Sequence, residues 1–255
     1  MAERKTIVGG NWKMNTNRAE AEALAAAVSE GVTAGEQADV FVCPPAPYLI
    51  PVAETLAANA GNLVQLGVQN FYHQPNGAYT GEISLAMLQD LGVTTVLTGH
   101  SERRHVIGEP DTLINDKTLA ALEAGLQVVL CIGETLEQRE AGKTDAINAG
   151  QLGYGLAGVT AEQMADVVIA YEPVWAIGTG KTATPDDAQS AHQAIRQYLA
   201  HAFGDQIASQ TRIQYGGSVK PANASELFGQ PDIDGGLIGG AALKADDFLA
   251  IVNAG

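Results

Sequence analysis

Eight short apolar runs punctuate this chain along its whole length, and amphipathic helical patterns lie between them. The runs are Thr6–Gly10, Ala38–Cys43, Leu63–Val68, Thr94–Thr98, Gln127–Ile132, Val167–Tyr171, Thr211–Tyr215 and Ile233–Ile238. Most are continuously apolar, which suits strands of a parallel sheet buried on both faces. The intervening patterns, such as Arg18–Glu30, Thr112–Ala124 and Pro185–Phe203, are rich in Ala, Leu, Glu and Gln. Eight β–α alternations in 255 residues predict an α/β fold of the (β/α)8 barrel type, eight parallel strands with outer helices, as one domain over residues 1–255. A doubly wound open sheet is the alternative, although its strands usually number fewer. No linker or run of like charges divides the chain. With aromatics at only 5%, the core must consist mainly of Ala, Val, Leu and Ile.

A barrel of this kind concentrates chemistry at the C-terminal ends of its strands. The predicted strand ends bring Asn11 and Lys13, Gln69 and Asn70, His100 and Ser101, Glu172, the turn Gly216-Gly217-Ser218 and the turn Gly239-Gly240 to one rim. Glu172 is followed by Pro173, which ends the strand. The segment after it, Pro173, Val174, Trp175, Ala176, Ile177, Gly178, Thr179, Gly180, Lys181, Thr182 and Ala183, is half apolar and half flexible, as suits a lid closing over a small molecule. Read plainly, it is an ordinary loop after a buried strand. His100 ends an apolar run and begins a short polar helix, so it is a candidate for catalysis, whereas His73, His105, His192 and His201 read as solvated surface residues. Thr184-Pro185-Asp186-Asp187 is an N-cap followed by Pro and acids in the first turn.

Other motifs fail on context. Gly153-Tyr154-Gly155-Leu156-Ala157-Gly158 matches a dinucleotide fingerprint but follows a helical or looped stretch instead of a strand. Gly180-Lys181-Thr182 lacks the first glycine of a P-loop. His100-Ser101-Glu102 lacks the cysteines of a zinc deaminase, and no His/Cys cluster has metal spacing.

The formal charge of −15 argues against a nucleic-acid partner. It also means that an anionic ligand must be attracted by local groups against the global field. Gly-rich turns after strands seven and eight commonly hold phosphate on backbone amides, and Lys13 adds a cation. No apolar stretch is long enough to span a membrane, and the N-terminus lacks the apolar region of a signal peptide. Cys43 and Cys131 are isolated within apolar runs, so two buried reduced thiols in a cytoplasmic protein are expected.

Six segments, Gly10–Asn15, Gly77–Glu82, Gly99–Arg104, Ala170–Lys181, Tyr215–Ser218 and Ile238–Gly240, together make the chain resemble the triosephosphate isomerase family along its entire length. The resemblance implies cofactor-free, metal-free interconversion of dihydroxyacetone phosphate and D-glyceraldehyde 3-phosphate, a step of glycolysis and gluconeogenesis. In that family a glutamate base and a neutral histidine electrophile divide the proton transfers, and the matching positions are Glu172 and His100. Lys13, with Asn11 beside it, would stabilise the enediolate, and Gly178, Ser218, Gly239 and Gly240 would hold the phosphate. Ser101 is expected to cap the short helix after His100. The resemblance also implies a homodimer in which Gln74–Thr80 is an arm inserted near Asn11–Asn15 of the partner, with Glu82 and Arg103 paired at its base. The alternatives are another sugar-phosphate isomerase or aldolase barrel, or a barrel retained for binding alone.

Overall fold

A computed structural model of the protein describes residues 4–33, 38–177 and 183–255. Eight parallel strands close in sequential order into a barrel: β1 (Thr6–Asn11), β2 (Ala38–Cys43), β3 (Val64–Val68), β4 (Thr95–Thr98), β5 (Gln127–Ile132), β6 (Val167–Tyr171), β7 (Arg212–Tyr215) and β8 (Gly235–Ile238). The ring is sealed by β8 against β1, with Ile7 opposite Gly235 and Gly10 opposite Ile238. Helices α1 (Arg18–Gly31), α2 (Leu49–Ala58), α3 (Leu85–Asp90) and α4 (Asp111–Glu123) follow the first four strands. Beyond β5 come α5 (Leu136–Glu140) and α6 (Thr144–Gly155), beyond β6 α7 (Pro185–Phe203) and α8 (Asp205–Gln210), then α9 (Pro221–Phe228) and α10 (Ala245–Val252).

Strand residues alternate between two cores, because successive side chains leave a strand on opposite faces. Ile7, Phe41, Cys43, Leu97, Val129, Cys131, Val168, Ala170 and Leu237 fill the barrel, while neighbours such as Val8, Val40, Val42, Val128, Leu130 and Ile169 pack in the shell beneath the helices. Phe41 is the one aromatic among the barrel-filling residues, and glycine makes room for it. A Cβ on Gly9 would lie 2.1 Å from its ring. Both cysteines are buried and free, and burial pushes both thiols up from their ordinary range.

The sequence reading is one residue short at the end of β1 and two early at the start of β8. There Gly235 adopts φ +125°, and a Cβ on it would lie 2.1 Å from the carbonyl oxygen of Ile7. Local rules account for several helix starts. Asn17 and Glu20 form a capping box on α1, and Thr184 with Asp187 forms another on α7, with Pro185 in the first turn.

The expectation for His192 is overturned. It shares the buried stripe of α7 with Ala188, Ala191, Ile195 and Leu199, a 3–4 spacing that turns it toward the barrel. Its ring is fully buried, edge-on to Tyr171 at 5.7 Å and 6.1 Å from Tyr215, with Nδ1 3.1 Å from the carbonyl oxygen of Asp232. His73 is also less solvated than expected, with its side chain 15% exposed and its ring against Tyr72. His105 and His201 are exposed.

Burial lowers the pKa of His192 to about 3. Between that value and about 6.5 in the unfolded chain, the unfolded state binds a proton that the fold excludes. The resulting penalty is absent above pH ~6.5 and grows by about 1.4 kcal/mol per pH unit on acidification through this window. His192→Asn should therefore flatten the fall in stability between pH ~6.5 and ~4, read by urea unfolding at each pH. An unchanged slope would contradict this account.

Candidate active site

Asn11, Lys13, His100, Glu172, Ser218, Gly239 and Gly240 all line one cavity of about 440 Å³ at the C-terminal mouth of the barrel. The lid segment is described only at Pro173–Ile177 and Ala183. Gly178, Thr179, Gly180, Lys181 and Thr182 lie outside the described residues.

Glu172 leaves the end of β6 with its side chain buried, at 2% exposure, among three donors. Its carboxylate accepts from the Ser101 N–H at 2.9 Å and the Ser101 hydroxyl at 3.2 Å, and His100 Nε2 lies 3.0 Å away. Small neighbours make the approach feasible. A Cβ on Gly216 would meet Glu172 Cγ at 2.8 Å, and one on Gly133 would overlap the Glu172 carbonyl oxygen at 1.7 Å.

His100, and not Ser101, caps the helical segment. The His100 carbonyl accepts from the N–H groups of Arg103 and Arg104, and its Nδ1 accepts from the Glu102 N–H at 3.2 Å. Ser101 is thereby free to direct both of its donors to Glu172. Because Nδ1 accepts a hydrogen bond from a backbone N–H, the ring of the neutral tautomer carries its own proton on Nε2, directed to the Glu172 carboxylate.

Lys13 is held in a left-handed conformation, φ +53°, which a side-chain-bearing residue rarely adopts. Two amide side chains fix the peptides around it. Asn11 Oδ1 accepts from the Lys13 N–H at 3.0 Å, and Gln69 Nε2 donates to the Lys13 carbonyl at 2.8 Å. Lys13 Nζ extends to Glu102 Oε1 at 2.7 Å. Across the cavity, the N–H groups of Ser218, Gly239 and Gly240 donate to no protein acceptor among the described residues. Gly240 opens a short helical turn, Gly240–Leu243, so these donors form a natural anion seat.

Arg103 does not pair with Glu82. It bonds Glu109 at 2.7 Å, and Glu109 also holds the buried Lys117, whose Nζ reaches Asn70 Oδ1 at 2.7 Å. Burial opposes ionisation of Glu109, yet Arg103 and Lys117 hold its carboxyl below the usual range. Among the described residues no group of three His, Cys, Asp or Glu side chains is placed to hold a metal.

The sequence reading passed over Glu134, at the end of β5. It is completely buried and accepts from the Tyr171 hydroxyl at 3.0 Å and Trp175 Nε1 at 2.8 Å, with Arg139 Nη1 3.5 Å away. Its carbonyl takes the Val174 N–H, and Arg139 lies over the Trp175 ring at 4.3 Å and bonds Asp187. The first turn of the lid segment is thus fixed to β5 and α7. The Gly133-Glu134-Thr135 strand end carried the signal, since it presents a carboxylate after a buried strand as Glu172 does.

The model of one family, described as triosephosphate isomerase, matches residues 6–255. The chain is 54% identical to a triosephosphate isomerase of Chlorobium phaeobacteroides over 252 residues, 98% of this chain and 99% of that protein. It is likewise 54% identical to one from Carboxydothermus hydrogenoformans over 249 residues, 98% of each chain. The chain belongs to the triosephosphate isomerase family. It is therefore an isomerase with a (β/α)8 barrel.

Glu134→Leu would leave the Tyr171 hydroxyl and the Trp175 N–H without their acceptor, each worth roughly 1–3 kcal/mol when buried. The variant should lose about 2–5 kcal/mol of stability, and its Trp175 emission should shift red as the turn opens to water. A variant as stable as wild type with unchanged emission would show that this carboxylate does not hold the turn.

Proposed function

We propose that the chain interconverts dihydroxyacetone phosphate and D-glyceraldehyde 3-phosphate through an enediolate, serving glycolysis and gluconeogenesis in the cytoplasm. The observation that carries this reading is the facing of two half-sites across one cavity. On one side a buried carboxylate lies 3.0 Å from an imidazole nitrogen, and on the other stand the N–H donors of Ser218, Gly239 and Gly240.

Glu172 takes a proton from the carbon bearing the hydroxyl, and the electron pair passes through the new carbon–carbon double bond to the carbonyl oxygen. His100 Nε2–H, which lies against Glu172 at 3.0 Å before a ligand enters, then donates to the developing oxyanion. Lys13 supplies positive charge there, and Asn11 maintains the Lys13 backbone. His100 passes its Nε2 proton to that oxygen and recovers the proton of the neighbouring hydroxyl. Return of the proton from Glu172 to the adjacent carbon, as the second oxygen becomes the carbonyl, completes the isomerisation. No electrons leave the substrate, so the balance calls for no redox partner. Ser218, Gly239 and Gly240 hold the phosphate, joined by Gly178 as Pro173–Ala183 closes. Substrate entry must break the bonds between Glu172 and Ser101, so the resting carboxylate is held back from the reacting carbon until a ligand arrives. Glu172→Gln keeps shape without basicity and should lower kcat by about 10²–10⁴. Near-normal turnover would assign the proton transfer elsewhere.

The active form is a homodimer joined through Gln74–Thr80. Beside Lys13 lies a mainly apolar groove of about 680 Å³, lined in part by Met14, Ile83, Val106 and Ile107. Met14, Val106 and Ile107 are exposed at 95%, 78% and 64%, an unusual cluster of bare apolar side chains that favours a protein partner. Replacing Gln74–Thr80 by a tight turn should give a monomer in sedimentation and a substantially lower kcat, because Lys13 would lose its support. A wild-type monomer, or a fully active shortened variant, would overturn the dimer.

A further inference from the structure

Lys220 and Lys244 line the cavity at its phosphate end, beside Ser218 and Gly240. Nearly every other cation among the described residues of this acidic chain is committed. Among the described residues Lys13, Arg103, Arg104, Arg139, Arg196 and the rest make ion pairs, and only Lys143, Lys220 and Lys244 make none. Two of these three cations flank one site. Without them the described residues of the cavity lining carry one cation, Lys13, against the carboxylates of Glu172 and Asp247. Lys13 is itself offset by Glu102 at 2.7 Å.

We propose that Lys220 and Lys244 are the capture cations of the enzyme. They offset the Glu172 and Asp247 carboxylates in a chain of formal charge −15 and draw a phosphate dianion onto the Ser218–Gly240 donors. Both are exposed, so they act through space on the approaching ligand and not through the reacting atoms. A dianion entering a pocket of net negative lining is slowed, whereas a cleft with unpaired cations raises encounter rates by 10- to 1,000-fold in the strongest cases. Neither lysine touches Glu172 or His100, so the chemical step is independent of them.

The inference rests on the isomerase reading above. A wild-type protein that fails to isomerise triose phosphates overturns that reading, whereas an active wild type with unaffected variants overturns this one alone. The test compares wild type with Lys220→Gln, Lys244→Gln, the double variant and the double Lys→Arg variant, all full-length and with thermal melts to confirm folding. Initial rates on D-glyceraldehyde 3-phosphate are measured at ionic strengths from about 10 mM to about 0.3 M, where the Debye length falls from about 30 Å to under 8 Å. The double Gln variant should lose about 3- to 10-fold in kcat/KM at low salt and converge on wild type at high salt, with kcat retained. Inorganic phosphate should inhibit it correspondingly less at low salt. The double Arg variant should behave as wild type, and turnover of uncharged D-glyceraldehyde should be the same in all forms. A loss that is independent of salt, falls on kcat, or affects D-glyceraldehyde equally would overturn the proposal, as would no loss at all.

Discussion

Every strand of this barrel is covered on both faces, one by the barrel interior and the other by helices, and that constraint governs where polar groups can stand. Along the middle of a strand, an unpaired polar side chain would be buried without a partner at a cost of kilocalories. Functional groups are thereby driven to strand ends. The two ends differ. At the N-terminal ends charges satisfy each other: Arg4 with Asp234, Lys5 and Arg212 with Asp39, and Arg196 with Asp232 and Asp234. At the C-terminal ends the Ser218, Gly239 and Gly240 donors are left open, and Glu172 is held by groups that a ligand can replace. Stability and reactivity therefore occupy opposite mouths of one closed sheet.

The same closure explains the glycines of the site. β5, β6 and β7 converge so tightly at the rim that a Cβ on Gly133 would overlap the Glu172 backbone, and one on Gly216 would crowd the Glu172 side chain. The Glu172 backbone is thus set against Gly133 and the base of its side chain against Gly216, which leaves the position of the strand end fixed while the carboxylate exchanges partners. Lys13 is aligned differently. It is bent into a left-handed conformation and clamped by the Asn11 and Gln69 amides. Backbone strain of this kind costs about 1–3 kcal/mol and persists only where surrounding bonds over-determine it.

Much of this was legible in the sequence for identifiable reasons. β2, β5, β6 and α7 match their sequence-read limits, because continuous apolar runs or a strong cap mark each one. Asn11, Lys13, His100, Glu172 and the two glycine turns could be collected because strand ends of a barrel meet at one mouth. What escaped depends on three-dimensional pairing. No local pattern reveals that His100 is its own helix cap, that Arg103 chooses Glu109 over Glu82, or that Glu134 accepts from Trp175 across a turn. His192 was misread because its charge-capable ring suggested solvent, whereas the 3–4 spacing of its apolar neighbours on α7 was the better guide.

The buried carboxylates of Glu134 and Glu172 show how one fold gives similar groups different duties. Both follow a buried strand, and the two strands are paired neighbours, with Ile132 opposite Tyr171. Glu134 is enclosed by Tyr171, Trp175 and Arg139, groups that belong to the fold and that no ligand replaces. Glu172 is bound by Ser101 and His100, and it also borders an open cavity. Exchange of its partners therefore loses little, since a substrate can offer a new proton donor as Ser101 is released. Tyr171 and Pro173 flank Glu172 in sequence, and Tyr171 is bonded to Glu134. A carboxylate free to move is thus mounted directly on one that is not.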